Sequence, residues 1–122
     1  MKFSVNQKDL QQSLSYCQGV IEKRSTLPIL SNVLIDASNS RLKITATDLD
    51  LIFINEIKNV EIIEEGKTTT TSSIMYDIIR KFSSGKKINF ELTGENKIHL
   101  ESEKSVFNLN CITSTEFPLT DE

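Results

Sequence analysis

Apolar residues fall along this chain in two rhythms, a helical one and an alternating one, and the two follow each other in the same order twice. Lys2 to Val5 reads as a short strand. Asn6 then offers a side-chain cap for a helix, with Asp9 three residues on in the capping-box position. Leu10, Leu14, Cys17 and Ile21 recur at helical spacing and predict one buried stripe. Lys8, Gln11, Gln12, Ser15 and Gln18 fall on the opposite face, and Gly19 is the expected stop. The next apolar run, Thr26-Leu27-Pro28-Ile29-Leu30, contains a proline. That forbids a helix and holds the residue before it extended.

Alternation takes over from residue 32. Asn32 to Ala37 predicts a strand, Ser38-Asn39-Ser40 a turn, and Arg41 to Asp48 a second strand. Leu42, Ile44 and Ala46 fall on one face of it, and Lys43, Thr45 and Thr47 on the other. Leu51 to Ile57 is a third strand, and Val60 to Ile63 continues or follows it. The order then returns. Lys67 to Thr71 is strand-like by its threonines, and Ser72 or Ser73 can cap a second helix. Met75, Ile78, Ile79 and Phe82 predict its buried stripe. Ser83-Ser84-Gly85 ends that helix. Strands are expected at Lys87 to Thr93, Lys97 to Ser102 and Val106 to Thr113, with a hairpin turn at Gly94-Glu95-Asn96.

Each half thus reads strand, helix, three strands. Two such βαβββ units, each with a one-sided helix and a half-wet sheet, can bury their apolar faces against each other. The expected fold is α+β, with two helices packed on antiparallel sheets. At 122 residues the chain suits one domain with a substantial core, and 38% apolar with 25% charged residues describes a soluble protein. No apolar run approaches the roughly 20 residues of a membrane span. Asn6 to Asp9 interrupt any secretory pattern, so a cytoplasmic location is expected.

The formal net charge of −3 does not by itself suggest nucleic acid. Its distribution changes the picture. Residues 7–24 and 72–87 together carry +4, leaving −7 on the strands and turns. Most of that excess flanks the helices, since residues 7–18 sum to 0 and residues 73–83 to +1. The helix faces are rich in Gln, Ser and Tyr, without the aromatic platforms that grip single strands or clustered side chains that read bases. Such faces can touch phosphates loosely, but on composition alone they read as ordinary solvated helix surface.

Candidate catalytic chemistry is thin. Cys17 and Cys111 are isolated, without metal-type spacing, and read as buried free thiols. His99, the only histidine, sits in an alternating strand and reads as solvated. Asp48 and Asp50, two apart at a strand end, share a face but lack a third ligand, so a pair of solvated carboxylates is expected. A hydrolase centred on them is a distant reading. There is no glycine-rich phosphate loop, and one histidine does not assemble a triad. No active site, cofactor or metal is expected.

Arg24-x-Thr26-Leu27-Pro28-Ile29-Leu30-x-Asn32, followed by Thr45-Ala46-Thr47-Asp48-Leu49-Asp50, resembles the bacterial DNA sliding clamp, the beta subunit of DNA polymerase III. Met1-Lys2-Phe3, the helix after it and Glu116-Phe117-Pro118 are also similar. The resemblance covers essentially the whole chain but only the first of that family's three domains. It implies a first clamp domain over residues 1–118, with residues 119–122 opening a linker to a second domain.

It further implies a non-enzymatic processivity factor, a closed ring around duplex DNA that tethers the replicative polymerase. Binding is sequence-independent and needs no cofactor. Partners would be double-stranded DNA, the polymerase and clamp loader through the full-length protein, and a second protomer, head to tail, in a dimeric ring. The fragment alone is expected to be monomeric. Arg24 matches a DNA-contacting position, with Lys23 beside it; Ser73 stands where the family often has a second basic contact, and Arg80 adds a charge on the second helix. Phe107 matches an apolar position at the protomer contact, in a short uncharged last strand with Leu109. A different reading is an adaptor domain that uses its sheet edges and never meets DNA.

Overall fold

The computed structural model describes residues 1–18, 32–47, 52–83, 85–94, 97–102 and 105–111. Nine strands and two helices are defined among them. In chain order they are β1 (Lys2–Asn6), α1 (Gln7–Gln18), β2 (Asn32–Ser38), β3 (Arg41–Thr47), β4 (Ile52–Ile57) and β5 (Val60–Glu64). There follow β6 (Gly66–Thr71), α2 (Ser72–Ile79), β7 (Lys87–Thr93), β8 (Lys97–Ser102) and β9 (Ser105–Asn110). The expected α+β fold is present, and Val60 to Glu64 is a strand in its own right.

The two halves exchange their first strands. One sheet runs β5-β1-β7-β8-β9 and the other β4-β3-β2-β6. So β1 pairs with β7 of the second half, and β6 pairs with β2 of the first, both antiparallel. Phe3 lies opposite Phe90 across the first of these seams, and their rings stack at 4.7 Å. β5 adds to the outer side of β1. Thr70 Oγ1 donates to the Asn110 carbonyl at 2.9 Å, tying the edge of one sheet to the edge of the other.

The outer faces are laced with charge across the strands. Lys67, Asp36, Lys43 and Glu56 stand in register over all four strands of the smaller sheet. Glu64, Lys2 and Glu91 do the same over β5, β1 and β7. Opposite charges facing each other across strands favour the pairing, and like charges would oppose it. The acidic excess of the strands is therefore interleaved with cations.

One core lies inward of both sheets, and the helices close it. Leu10, Leu14 and Cys17 of α1 and Met75 and Ile79 of α2 are buried as their spacing predicts. Ile21, Gly19 and the proline-containing segment lie outside the described residues. Ile78 departs from the expected stripe: it is only partly buried and packs at the core margin. Helix α2 has just eight residues, and its stripe is narrow, centred on Met75, Ile79 and the following Phe82. The caps differ as well. Asn6 Oδ1 accepts from the Lys8 amide at 2.9 Å, as expected. For α2 the cap is extended Thr71 without a side-chain bond; Ser72 is inside the helix, because its hydroxyl is used by the other helix.

Asn39 and Ser40 join β2 to β3 with φ of 53° and 62°. A two-residue hairpin loop with both residues left-handed is the type I′ geometry, which glycine favours at the second position. At the same end of the molecule, where Glu65 accepts from the Asn39 amide, Met1 is buried, and its amine donates to Glu64 Oε1 at 3.0 Å. Gly66 makes room for it: a Cβ there would meet the Met1 Cβ at 2.8 Å.

Three outcomes follow. Ile79→Ala is expected to cost about 2–5 kcal/mol in urea melts, and Ile78→Ala clearly less. Equal losses would contradict the burial pattern. Ser40→Gly is expected to stabilise by about 0.5–1 kcal/mol, because serine has a Cβ penalty in the left-handed region that glycine lacks. Glu64 is held below the usual carboxylate range, first by its hydrogen bond from the N-terminal amine. Its contribution is then present above the unfolded carboxylate pKa and fades as pH falls through the lower folded value. Side-chain NMR titration should find Glu64 protonating below the usual carboxylate range, with the lowering removed when extra residues precede Met1.

Candidate nucleic-acid interface

The helices lie side by side and antiparallel. Gln7, at the start of α1, donates through Nε2 to the Ile79 carbonyl at the end of α2, 2.8 Å away. Ser72, at the start of α2, donates through Oγ to Gln18 Oε1 at the end of α1, 3.1 Å away. Each end of the pair is thus latched. Gln18 is therefore a helix–helix contact and not part of the open face, and Gln11 accepts a hydrogen bond from Gln7. Directional polar contacts of this kind specify one register more sharply than apolar packing does.

A shallow groove of about 370 Å³ runs between the helices on their outer side, lined by Lys8, Gln11, Gln12, Ser15 and Tyr76. Lys8 is exposed beside it, and its ammonium makes no hydrogen bond or ion pair with the described residues. Arg80, singled out from the sequence, is on the same layer but is engaged. Its Nη2 donates to Asp77 Oδ1 at 2.8 Å, and its guanidinium lies 4.9 Å from the centre of the Tyr76 ring. Both partners of that ion pair are about half exposed, so it adds little to stability. It does lower the charge Arg80 presents outward.

Ser73 is exposed in the first turn of α2, at the end of the pair where α1 terminates. Lys23 and Arg24 follow α1 in the chain and lie outside the described residues, as do Asp48 and Asp50. The structure thus brings Lys8, Ser73 and Arg80 onto one layer. Lys8 carries no signal in the sequence, because Asp9 beside it cancels its charge in any count by window. Only the fold separates the two side chains.

β9 is an edge strand, as expected from its place in the order. Its alternation runs inward at the expected contact residues. Leu109 is 7% exposed within the core, and Phe107 is half-buried with its ring edge-on to Phe82 at 5.4 Å. What β9 presents outward is Val106, Asn108 and its backbone, with the Asn110 carbonyl already taken by Thr70. His99 Nδ1 and Asn108 Oδ1 are 3.0 Å apart. Any protomer contact here would use the strand edge and the half-open Phe107 ring more than the Leu109 side chain.

Other candidate chemistry is quiet. Cys17 and Cys111 are buried free thiols, and burial pushes Cys17 up to about 12, away from reactivity. No group of three His, Cys, Asp or Glu side chains that could hold a metal occurs among the described residues. Among the same residues no helix is long and apolar enough to cross a membrane.

A strand-exchanged α+β domain with a latched, polar helix pair on one side is the architecture of a sliding-clamp domain. Residues 1–121 match the family described as DNA polymerase III beta subunit, N-terminal domain. The beta sliding clamp of Caulobacter vibrioides is 33% identical over 120 residues, covering 98% of this chain and 32% of that protein. That of Escherichia coli K12 is 33% identical over 122 residues, all of this chain and 33% of the relative. A Bartonella birtlesii sliding clamp crystallised with griselimycin superposes with a TM-score of 0.93 at 35% identity, over 100% of this chain and 32% of that one. The chain belongs to the DNA polymerase III beta subunit family, matching its N-terminal domain, and spans about a third of the length of these relatives.

Proposed function

We propose that this chain serves as a clamp domain in DNA replication: one segment of a ring that encircles duplex DNA and tethers the replicative polymerase. In this reading its helix layer faces the phosphates and it performs no chemistry of its own. The observation that carries it is the antiparallel helix pair, with unpaired Lys8 beside a polar groove, on a domain of this family. Glutamine, serine and tyrosine offer phosphates hydrogen bonds without fixing a sequence, and one loosely held cation adds attraction without a tight grip. Lys23 and Arg24 would extend the basic surface beyond α1, and Ser73 would offer a neutral contact at the start of α2. Head-to-tail assembly through the β9 edge, with Phe107 at its margin, would close the ring in a dimer of longer subunits, and the polymerase and clamp loader would engage that assembly.

The 122-residue chain, titrated with duplexes of unrelated sequence, should bind weakly and alike, because a lone domain cannot encircle them. Amide shifts should fall on Lys8, Gln12, Ser15 and the start of α2, and fade with salt. Lys8→Ala, and likewise Arg24→Ala, should reduce the salt slope by roughly one unit. Arg80→Ala should reduce it less, since Asp77 already balances that charge. Shifts confined to the sheet edges β4 or β9, or no binding with those edges capturing protein partners instead, would favour the adaptor reading. Strong preference for one sequence would overturn the clamp reading outright.

A further inference from the structure

A second groove, of about 280 Å³, lies on the flank of α1, against the end of β4 and the turn after it. Asp9, Gln12, Ser13 and Tyr16 line it from the helix, and Asn55 and Asn59 from the other side. The helix residues are three or four apart and so form one stripe. Ser13 is 1% exposed, and its Oγ has no hydrogen-bond partner. A buried hydroxyl in that state is a feature that needs a ligand or a solvent molecule to complete it. Asp9 is half-buried and makes no ion pair or hydrogen bond with the described residues. Gln12 donates through Nε2 to the Tyr16 hydroxyl at 3.1 Å, which leaves its Oε1 to accept. The Tyr16 ring is half exposed, and Phe53 steadies it edge-on at 6.1 Å.

These groups form one chemical set: a carboxylate, several spare acceptors and a fixed aromatic face. Two further charges stand at the rim. Glu56 is held by Arg41 through both carboxylate oxygens, and Lys58 is exposed, where solvent screens it. A planar cation with several donors matches this set better than an ammonium, because it can bond the carboxylate and the hydroxyl while stacking on the ring. We propose that the groove between α1 and β4 is a binding site for the guanidinium of an arginine side chain presented by a partner protein. The site lies on the other flank of α1 from the phosphate-facing groove and shares only Gln12 with it, and its case does not depend on DNA binding.

The test uses N-acetyl-arginine-amide as the probe and NMR of the 122-residue chain as the readout. Saturable shifts are expected at Asp9, Gln12, Ser13, Tyr16 and Asn59, with millimolar affinity. The neutral isostere N-acetyl-citrulline-amide should bind about ten-fold more weakly or worse, and Asp9→Asn should weaken the arginine probe by a similar factor. Asp9→Asn is isosteric, and an unchanged thermal melt would separate loss of the site from loss of the fold. Glu61→Gln, outside the groove, should change nothing. Absence of saturable shifts up to about 50 mM probe, or equal binding by citrulline or by Asp9→Asn, would overturn the proposal and leave Ser13 to water alone.

Discussion

The exchange of first strands between the two halves is the constraint on which the rest depends. β1 is not at an edge but lies between β5 and β7, and β6 closes the other sheet beside β2. Neither βαβββ unit can complete a sheet without the other. The exchange also dictates the helices. Each helix follows directly from an exchanged strand, α1 from β1 and α2 from β6, so the two must run side by side over the common core. The Gln7–Ile79 and Ser72–Gln18 hydrogen bonds then need no further adjustment to fix the register. The cost is kinetic. β1 finds β7 across more than eighty residues, and pairings this remote slow folding.

Most of the elements were legible because each carries its own period. The alternation of β7 and β8 and the 3.6-residue stripe of α1 are local facts, and the expected inward faces are the buried ones. In β3 Leu42, Ile44 and Ala46 turn inward as expected, but Thr45 and Thr47 on the face expected to be wet are buried too. What failed was set by distant partners. Ile78 fits the helical stripe as well as Ile79 does, and only the position of α1 decides which is covered. Gln7 and Gln18 look like solvated residues until the opposite helix end supplies a carbonyl and a hydroxyl. The cap expected at Ser72 or Ser73 is instead Thr71, and the Ser72 hydroxyl is spent on Gln18 of α1. Strand exchange leaves no trace in a repeat of layout, since exchanged and unexchanged pairings have the same element order.

The candidate interface was legible in part. A charge count by window located basic excess around the helices, and the fold gathers Lys8, Ser73 and Arg80 on that layer. The count could not see that Arg80 is balanced by Asp77 one turn earlier, or that Lys8 stands clear of Asp9. Neighbours in sequence on a helix point about 100° apart, so Asp9 turns toward the β4 flank while Lys8 turns toward α2. The two grooves on either side of α1 thereby acquire opposite character from adjacent residues, one bordered by an amine and the other by a carboxylate.

On the proposed reading this division has a mechanical consequence. A surface that must let a polyanion pass needs attraction without residence, so its cations should be few and its hydrogen bonds exchangeable. Salt-bridging Arg80 to Asp77 and leaving only Lys8 unpaired among the described cations of the groove achieves that with a weak local field. The one exposed carboxylate of α2, Asp77, is matched by Arg80, and the remaining negative charge is placed elsewhere. It is laid across the sheets, where Asp36, Glu56, Glu64 and Glu91 face cations on neighbouring strands. Charge separation between layers is thus stabilised within each layer, and the net −3 of the chain is no obstacle to a phosphate-facing helix surface.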